Sequence, residues 1–215
     1  MKVYAINGSP RKNKNTATLL NKALEGVKAS HSDAEVEVIN LYDLNYTGCK
    51  SCFACKFIGG KSYGKCAVKD DLYEVLEKLS TADGIIFGSP IYLGTITAAL
   101  QGFFERLIFQ YLVYDENYST IAPKRMPTAF IYTMNATKEI VEKFNYLSGL
   151  SSMENAIERI FTKPQILHSC DTYQFNDYSK YVSTAFSEEH KREQRETQFP
   201  IDCENAFNLG KNLIK

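Results

Sequence analysis

The first segment with residues suited to chemistry is a polar run near the N-terminus. Residues 8–16 read Gly-Ser-Pro-Arg-Lys-Asn-Lys-Asn-Thr and join a short apolar run to an amphipathic one. The start of a helix carries free N–H groups and partial positive charge, so an anion placed there gains several hydrogen bonds. We expect Asn15 or Thr16 to cap such a helix and the hydroxyls of Ser9 and Thr16 to donate to phosphate oxygens. An ordinary polar loop before a capped helix is the alternative interpretation.

The same segment also narrows the class of ligand. It contains neither GxGxxG nor GxxxxGK[ST], so the usual support for a dinucleotide fold or a P-loop is missing. A loop rich in hydroxyl groups that holds one phosphate indicates a mononucleotide instead. FMN fits that description.

A second candidate segment follows the apolar run at 84–88. It reads Ser89-Pro-Ile-Tyr-Leu-Gly94 and presents an aromatic residue between a proline and a glycine. Pro90 fixes the backbone and Gly94 relaxes it, so peptide N–H groups are expected at a flavin edge with Tyr92 near the ring. The alternative interpretation, and the more common role for such a residue taken alone, is that Tyr92 is a partly buried loop aromatic.

Four of the six cysteines form a third candidate group. Cys49, Cys52 and Cys55 are each separated by two residues, and Cys66 follows. Four thiolates can hold a [4Fe–4S] cluster or a structural zinc ion, and free or reversibly oxidised thiols are the other alternative. A flavin is predicted, whereas the metal is left open and no metal ligand is assigned.

The periodicity of the chain predicts the elements that position these segments. Apolar β-branched and aromatic runs indicate parallel strands, and residues repeating at three and four positions indicate helices. The predicted strands are 2–6, 35–39, 84–88, 128–132 and 165–168. The predicted helices are 16–29, 72–79, 97–109, 140–160 and 203–214, and the charged run 187–198 is expected to be a solvated helix or a flexible arm. This alternation predicts an α/β fold, a flavodoxin-like doubly wound five-stranded parallel sheet with helices on both faces.

Composition limits the classes of partner. The 215 residues are expected to form one flavodoxin-like domain over 1–215, and 25 basic residues balance 25 acidic ones. Such a balance creates no field that would gather nucleic acid or an anionic membrane, so we expect neither as a partner. No apolar run suits a signal-peptide core or a membrane span, which favours the cytoplasm.

The motifs taken together resemble a known family. Gly8-Ser9-Pro10-Arg11 with Asn15-Thr16, the three spaced cysteines, Asp70-Asp71-Leu72, residues 82–92 and Phe-Phe-Glu-Arg at 103–106 are similar to the NAD(P)H-dependent FMN reductase and iron–sulfur flavoprotein group. The resemblance covers roughly the first half of the chain. It implies noncovalent FMN held by three loops: Ser9, Arg11, Asn13, Asn15 and Thr16 at the phosphate; Pro90, Ile91, Tyr92, Leu93 and Gly94 at the ring; and Thr133, Met134 and Asn135 as a third contact. In the iron–sulfur flavoproteins the fourth cysteine follows the third after a shorter gap than here.

The resemblance also implies an activity. NAD(P)H is expected as co-substrate, with a quinone, nitro compound or flavin as the small-molecule acceptor, and no catalytic acid–base pair is required because the flavin carries the chemistry. The alternatives are an electron carrier with a cluster at Cys49, Cys52, Cys55 and Cys66, and a redox- or metal-sensing flavin-binding module.

Further expectations concern the remaining residues. A homodimer or homotetramer would cover the flavin, and the aromatic stretch 103–111 is either the contact surface or the buried face of a helix. Glu105 and Arg106 are expected to be surface or interface charges. His31, His168 and His190 are expected to be structural or surface residues, because they are scattered along the chain.

Overall fold

The computed structural model describes residues 1–214 and contains one five-stranded sheet. All neighbouring strands are parallel, in the order β2-β1-β3-β4-β5, which is the flavodoxin order. The strands are β1 Lys2–Asn7, β2 Glu35–Asn40, β3 Gly84–Pro90, β4 Thr128–Thr133 and β5 Gln165–Ser169. The predicted fold class is therefore confirmed.

Helices cover both faces of the sheet. They are α1 Asn15–Ser30, α2 Asp71–Leu79, α3 Ala98–Phe109, α4 Lys138–Lys143, α5 Tyr146–Ile160 and α6 Glu188–Lys211. Alternate strand residues enter two cores, because successive side chains of a strand point to opposite faces. Val3 and Ala5 pack with α1 and α6, whereas Tyr4 and Ile6 pack with α2, α3 and α5.

Helices α1 and α6, which pack on the same face of the sheet, contact each other closely at two glycines. A Cβ added to Gly26 of α1 would overlap the carbonyl oxygen of Phe207, and one added to Gly210 of α6 would overlap that of Ala23. The backbones therefore approach each other more closely than larger side chains would permit. This contact fixes α6 against α1, and the N-terminus of α1 faces the candidate phosphate site.

Three predicted helix assignments differ from the structure. The predicted helix 140–160 is two helices, because Asn145 adopts a left-handed backbone with φ of 51° between α4 and α5. The charged run 187–198 and the predicted closing helix form one helix, α6. The Ser187 hydroxyl caps its first turn, and Pro200 lies further along inside the helix. Neither Asn15 nor Thr16 caps α1, because Lys14 occupies the N-cap position.

Among the helices within residues 1–214, none is both long and apolar enough to span a membrane.

Candidate functional site

The loops that follow β1, β3 and β4 meet at the carboxyl edge of the sheet. They surround a cavity of about 80 Å³ at the point where the strand order reverses, between β1 and β3. Its lining is Ser9, Arg11, Lys14, Asn15, Thr16, Pro90, Ile91, Tyr92, Thr133, Met134, Asn135, Thr172 and Gln174. Among the predicted site residues, Asn13, Leu93 and Gly94 do not line this cavity.

Three of the lining residues were not predicted from the sequence. Lys14 lies within the predicted segment, whereas Thr172 and Gln174 come from the loop after β5. That loop also leaves the carboxyl edge of the sheet, so its position after the fifth strand was the available signal.

The N-terminus of α1 offers free donors to the cavity. Its N-cap residue, Lys14, has an extended backbone, makes no side-chain cap and is followed by no acidic residue in the first turn. The first backbone N–H groups of the helix therefore stay available to an anion. Their partial positive charge is opposed by no neighbouring carboxylate in that turn.

Three hydroxyl groups lie at this end of the cavity. The Ser9 hydroxyl accepts a hydrogen bond from the Arg11 N–H at 3.1 Å, which shapes the loop before α1. The hydroxyls of Thr16 and Thr133 lie 2.7 Å apart and join the first and third loops. Both threonines are buried, so their hydroxyls have defined positions.

Two polar residues of the first loop hold other parts of the chain. The Arg11 guanidinium donates to the carbonyl oxygen of Gln174 at 2.8 Å. The Asn15 side chain donates to the carbonyl oxygen of Tyr173 at 3.1 Å and accepts from Arg195 at 3.1 Å. Asn15 therefore fastens α1 to α6 and to the loop after β5, and its side chain is less available to a phosphate than the sequence suggested.

The loop after β3 forms a tight turn. Tyr92 and Thr95 exchange both backbone hydrogen bonds, at 2.8 and 3.1 Å, so Leu93 and Gly94 form its tip with φ of 51° and 80°. Leu93 is fully exposed. A leucine in a left-handed conformation is strained, and such strain is characteristic of functional loops.

A buried ion pair contacts the loop that follows β4. Lys191 of α6 pairs with Asp171, and the Lys191 ammonium also donates to the carbonyl oxygen of Asn135 at 2.6 Å. His190 Nε2 lies 2.7 Å from the second Asp171 carboxylate oxygen. The Asn135 Oδ1 atom is buried and has no partner among the described residues.

The four clustered cysteines line a second, smaller cavity. Cys49, Cys52, Cys55 and Cys66 surround about 20 Å³ together with side chains of α3. Cys55 is buried, and burial raises the pKa of its thiol, whereas Cys52 is exposed. Within residues 1–214, no group of three or more His, Cys, Asp or Glu is placed to hold a single metal ion.

Arg106 is the main departure from the predicted side-chain positions. It is only 1 % exposed, rather than a surface charge, and its guanidinium donates to Asp70 at 2.8 and 2.6 Å and to Cys66 Sγ at 3.3 Å. Burial disfavours its charge, but the hydrogen bonds to Asp70 and Cys66 outweigh burial and raise the pKa of the guanidinium. Adjacent Glu105 accepts from the Cys49 N–H at 3.1 Å. Both residues therefore hold the cysteine loop against α3.

The aromatic stretch 103–111 is mostly the buried face of a helix. Phe103, Phe104, Leu107 and Tyr111 belong to the core, which accounts for their apolar character without a subunit contact. An apolar groove of about 460 Å³ nevertheless runs between α3 and α5, and its lining includes Phe104, Ile108, Phe109, Leu112 and Met153.

The family assignment follows from a sequence model. Residues 1–139 match the model described as NADPH-dependent FMN reductase. This chain belongs to that family. The matched region contains β1, β3, β4 and the three loops that follow them, whereas the loop after β5, which adds Thr172 and Gln174 to the cavity, lies outside it.

Relatives of this FMN reductase family member give finer similarities. An iron–sulfur flavoprotein of Archaeoglobus fulgidus is 42% identical over 106 residues, which are 49% of this chain and 48% of that protein. One of Methanosarcina thermophila is 34% identical over 108 residues, covering 50% of this chain and 53% of the relative. The chain thus matches about half the length of these curated relatives.

Solved structures show the same fold. The NAD(P)H:quinone oxidoreductase from Methanothermobacter marburgensis superposes with a TM-score of 0.70 at 18% identity and covers 99% of this chain and 96% of its own. An FMN-dependent NADH-azoreductase from Bacillus anthracis, solved in complex with FMN, gives 0.63 at 12% identity with coverage of 97% and 99%. At these identities the likeness concerns the fold alone.

The residues at the cavity of this FMN reductase family member fit a phosphorylated ligand. The uncapped first turn of α1 and the hydroxyls of Ser9 and Thr16 suit a phosphate. The buried Asn135 Oδ1 is an acceptor without a partner, and a hydroxyl or N–H group of a ligand would satisfy it. The site therefore fits FMN on two independent observations.

Proposed function

We propose that this chain is an FMN-dependent oxidoreductase that passes electrons from NAD(P)H to a small-molecule acceptor, namely a quinone, a nitro compound or a flavin. The observation that supports this most directly is the uncapped N-terminus of α1, which opens into the cavity where the three loops meet. When bound there, FMN supplies the capacity to accept a hydride and release its electrons. The protein then needs only to bind and orient the flavin and the nucleotide and to shield them from water.

The phosphate is held by the first loop in this proposal. The free N–H groups of the first turn of α1 donate to it, with the hydroxyls of Ser9 and Thr16 as further donors. Arg11 and Lys14 add positive charge beside it. The volume of about 80 Å³ suits a phosphate and part of its chain but not a flavin ring, so the ring lies outside the cavity.

The ring is held by the second loop. The N–H groups of Ile91 and Tyr92 already donate to the carbonyl oxygens of Thr133 and Thr95, at 2.9 and 2.8 Å. The N–H groups of Leu93 and Gly94 have no backbone partner in the described chain, so these are the donors left for the flavin edge. Leu93 and Gly94 therefore remain ring contacts although they do not line the phosphate cavity.

Purified protein tests this proposal directly. We expect it to carry FMN and to oxidise NAD(P)H steadily when a quinone is supplied. A parallel assay with NADH and with NADPH identifies the preferred donor. Protein that carries FMN but never oxidises either nucleotide would contradict the enzymatic role and favour a sensing module.

A second candidate function is an electron carrier that also holds a [4Fe–4S] cluster at Cys49, Cys52, Cys55 and Cys66. The supporting observation is that all four cysteines line one cavity, although ten residues separate Cys55 from Cys66. The relatives named iron–sulfur flavoproteins support it further. The thiols are the ligands that such clusters use, and Gln110, which lines the same cavity, carries a buried amide N–H₂ group without a partner in the described chain.

The chemistry of the cavity therefore fits a cluster, although its present 20 Å³ requires the cysteine loop to open. Iron and sulfide analysis of anaerobically purified protein tests this candidate. Cys52→Ser should then release iron and keep FMN, while Cys203→Ser, which changes a cysteine outside the cavity, should keep both. Iron-free wild-type protein would leave zinc or free thiols as the state of the loop.

We also propose that the chain forms a homodimer or homotetramer. The exposed Leu93 at the strained turn and the apolar groove between α3 and α5 are the surfaces that support association. A second copy would exclude water from a flavin ring that this chain alone leaves open.

A further inference from the structure

Two residues with buried hydrogen-bond donors lie at the C-terminal end of α3, beside the cysteine cavity. Arg106 is 1 % exposed and Gln110 is 3 % exposed, and both line the cavity that the four cysteines share. The two residues are four positions apart, so they lie on the same side of the helix end. Buried polar side chains of this kind normally have partners for all their strong donors.

The Arg106 guanidinium is fixed in place by hydrogen bonds to three other parts of the chain. Its terminal nitrogens donate to both Asp70 oxygens, to the carbonyl oxygen of Val68 at 3.0 Å and to that of Thr47 at 3.3 Å. The remaining Nε–H donates to Cys66 Sγ at 3.3 Å. A rigid, charged donor is thereby held against a sulfur atom.

The Gln110 amide is fixed in orientation as well. Its Oε1 accepts from the Cys66 backbone N–H at 3.0 Å, and because an N–H group cannot donate to an N–H₂ group, this contact assigns the oxygen and nitrogen ends. The Nε2 group is then buried, directed away from Cys66 N, and without any partner in the described chain. An orphaned donor at the wall of a ligand cavity points to an acceptor that the polypeptide does not supply.

The acceptors that this cavity can gather are sulfur atoms. Four cysteine sulfurs line it, and the remaining lining is otherwise mostly apolar, including Phe53, Ala67, Val68 and Phe109. We propose that Arg106 Nε and Gln110 Nε2 donate to the sulfur atoms of an iron–sulfur cluster held by Cys49, Cys52, Cys55 and Cys66, and that they raise its reduction potential. This inference rests on the second candidate function above.

The effect on potential has a simple electrostatic cause. Reduction of a cluster adds negative charge that is shared by its sulfur atoms, so an N–H···S hydrogen bond stabilises the reduced form more than the oxidised form. Hydrogen bonds to the sulfurs are among the factors that set cluster potentials. Removing a donor should therefore shift the midpoint potential to a more negative value.

Gln110→Met is the variant that tests this role. It retains a side chain of similar length and removes the N–H₂ donor, while Gln101→Met makes the same change at an exposed position of the same helix. Anaerobic redox titration with iron, sulfide and FMN content measured on each sample should show a more negative cluster potential for Gln110→Met and an unchanged one for Gln101→Met. FMN content should equal that of the wild type in both.

Arg106→Lys provides a second test, because Lys keeps a cation near Asp70 but has no Nε–H beside Cys66. It should also shift the potential to a more negative value. An unchanged potential in both variants at full iron content would overturn the donor role, and so would loss of iron from both, which would make the two residues structural. Iron-free wild-type protein would overturn the inference together with the second candidate, while FMN binding and NAD(P)H oxidation would still report separately on the first.

Discussion

At the scale of single residues, the phosphate contacts make the sharpest prediction about the flavin. Arg11→Ala combined with Thr16→Ala should weaken FMN binding about a hundredfold, because the pair removes a hydrogen bond to the charged phosphate, which contributes roughly 1.5–3 kcal/mol, and a cation beside it. Isothermal titration of the apoprotein with FMN measures the change. Lys28→Ala removes a cation from the other end of α1 and should leave the affinity unchanged. Equal affinities in all three proteins would place the phosphate elsewhere.

The burial of His168 leads to a prediction about how the free energy of unfolding depends on pH. Its ring stacks on Tyr132, its Nε2 is buried without a partner in the described chain, and burial lowers the pKa of the imidazole below the ordinary 6.5. Below pH 6.5 the unfolded chain therefore binds a proton that the folded chain does not bind. The free energy of unfolding should fall as the pH drops from 6.5 towards the folded pKa, by up to about 1.4 kcal/mol per pH unit.

Substitution of that histidine tests the assignment. His168→Phe keeps the aromatic stacking and removes the proton-binding group, so its free energy of unfolding should depend less on pH between 5 and 6.5. Urea unfolding at several pH values measures this. A wild type and variant with parallel pH profiles would show that other groups control acid stability.

The burial of Arg106 could not be predicted from the residues next to it in the sequence. The sequence predicts adjacent Glu105 and Arg106 to be surface or interface charges, because arginine is rarely buried without a partner. The partner, Asp70, lies 36 residues earlier in the sequence, and only the folded chain brings this N-cap residue of α2 to α3. The phosphate loop was easier to predict, because all of its donors lie within one short segment after a strand.

At the scale of elements, the glycine crossing of α1 and α6 controls stability. Gly210→Ala should destabilise the protein by about 3 kcal/mol or more, because its Cβ would overlap the Ala23 backbone and backbone cannot rotate away. Gly102→Ala, in α3, has its nearest neighbour at 3.5 Å and should be neutral or stabilising by up to about 1 kcal/mol. Thermal unfolding of both variants compares them, and equal melting temperatures would mean that the two helices are not closely packed.

The elements themselves were largely predictable. All five strands and the helices on both faces follow from hydrophobic periodicity, and β3 and β4 are buried over their whole length as their continuous apolar runs suggest. Helix boundaries were less predictable where backbone conformation decides them. Asn145 divides α4 from α5 by a left-handed residue within an otherwise helical pattern, and Pro200 lies inside α6 where a break was expected.

At the scale of the whole molecule, association is the main prediction. Light scattering at micromolar concentration should give two or four times the mass of the chain. Met153→Lys places a charge in the groove between α3 and α5 and should weaken association, whereas Asn155→Lys adds the same charge at an exposed position of α5 and should not. A fully active monomer would contradict the proposed assembly.

The central claim concerns electron transfer through FMN at the carboxyl edge of the sheet. Anaerobic spectrophotometry of the purified protein, first with NAD(P)H and then with a quinone, tests it most directly. The proposed function predicts a flavin spectrum that NAD(P)H bleaches and the quinone restores, and it predicts neither change for the Arg11→Ala, Thr16→Ala protein prepared without excess FMN. Wild-type protein that binds no flavin, or flavin that NAD(P)H leaves oxidised, would contradict the proposed function.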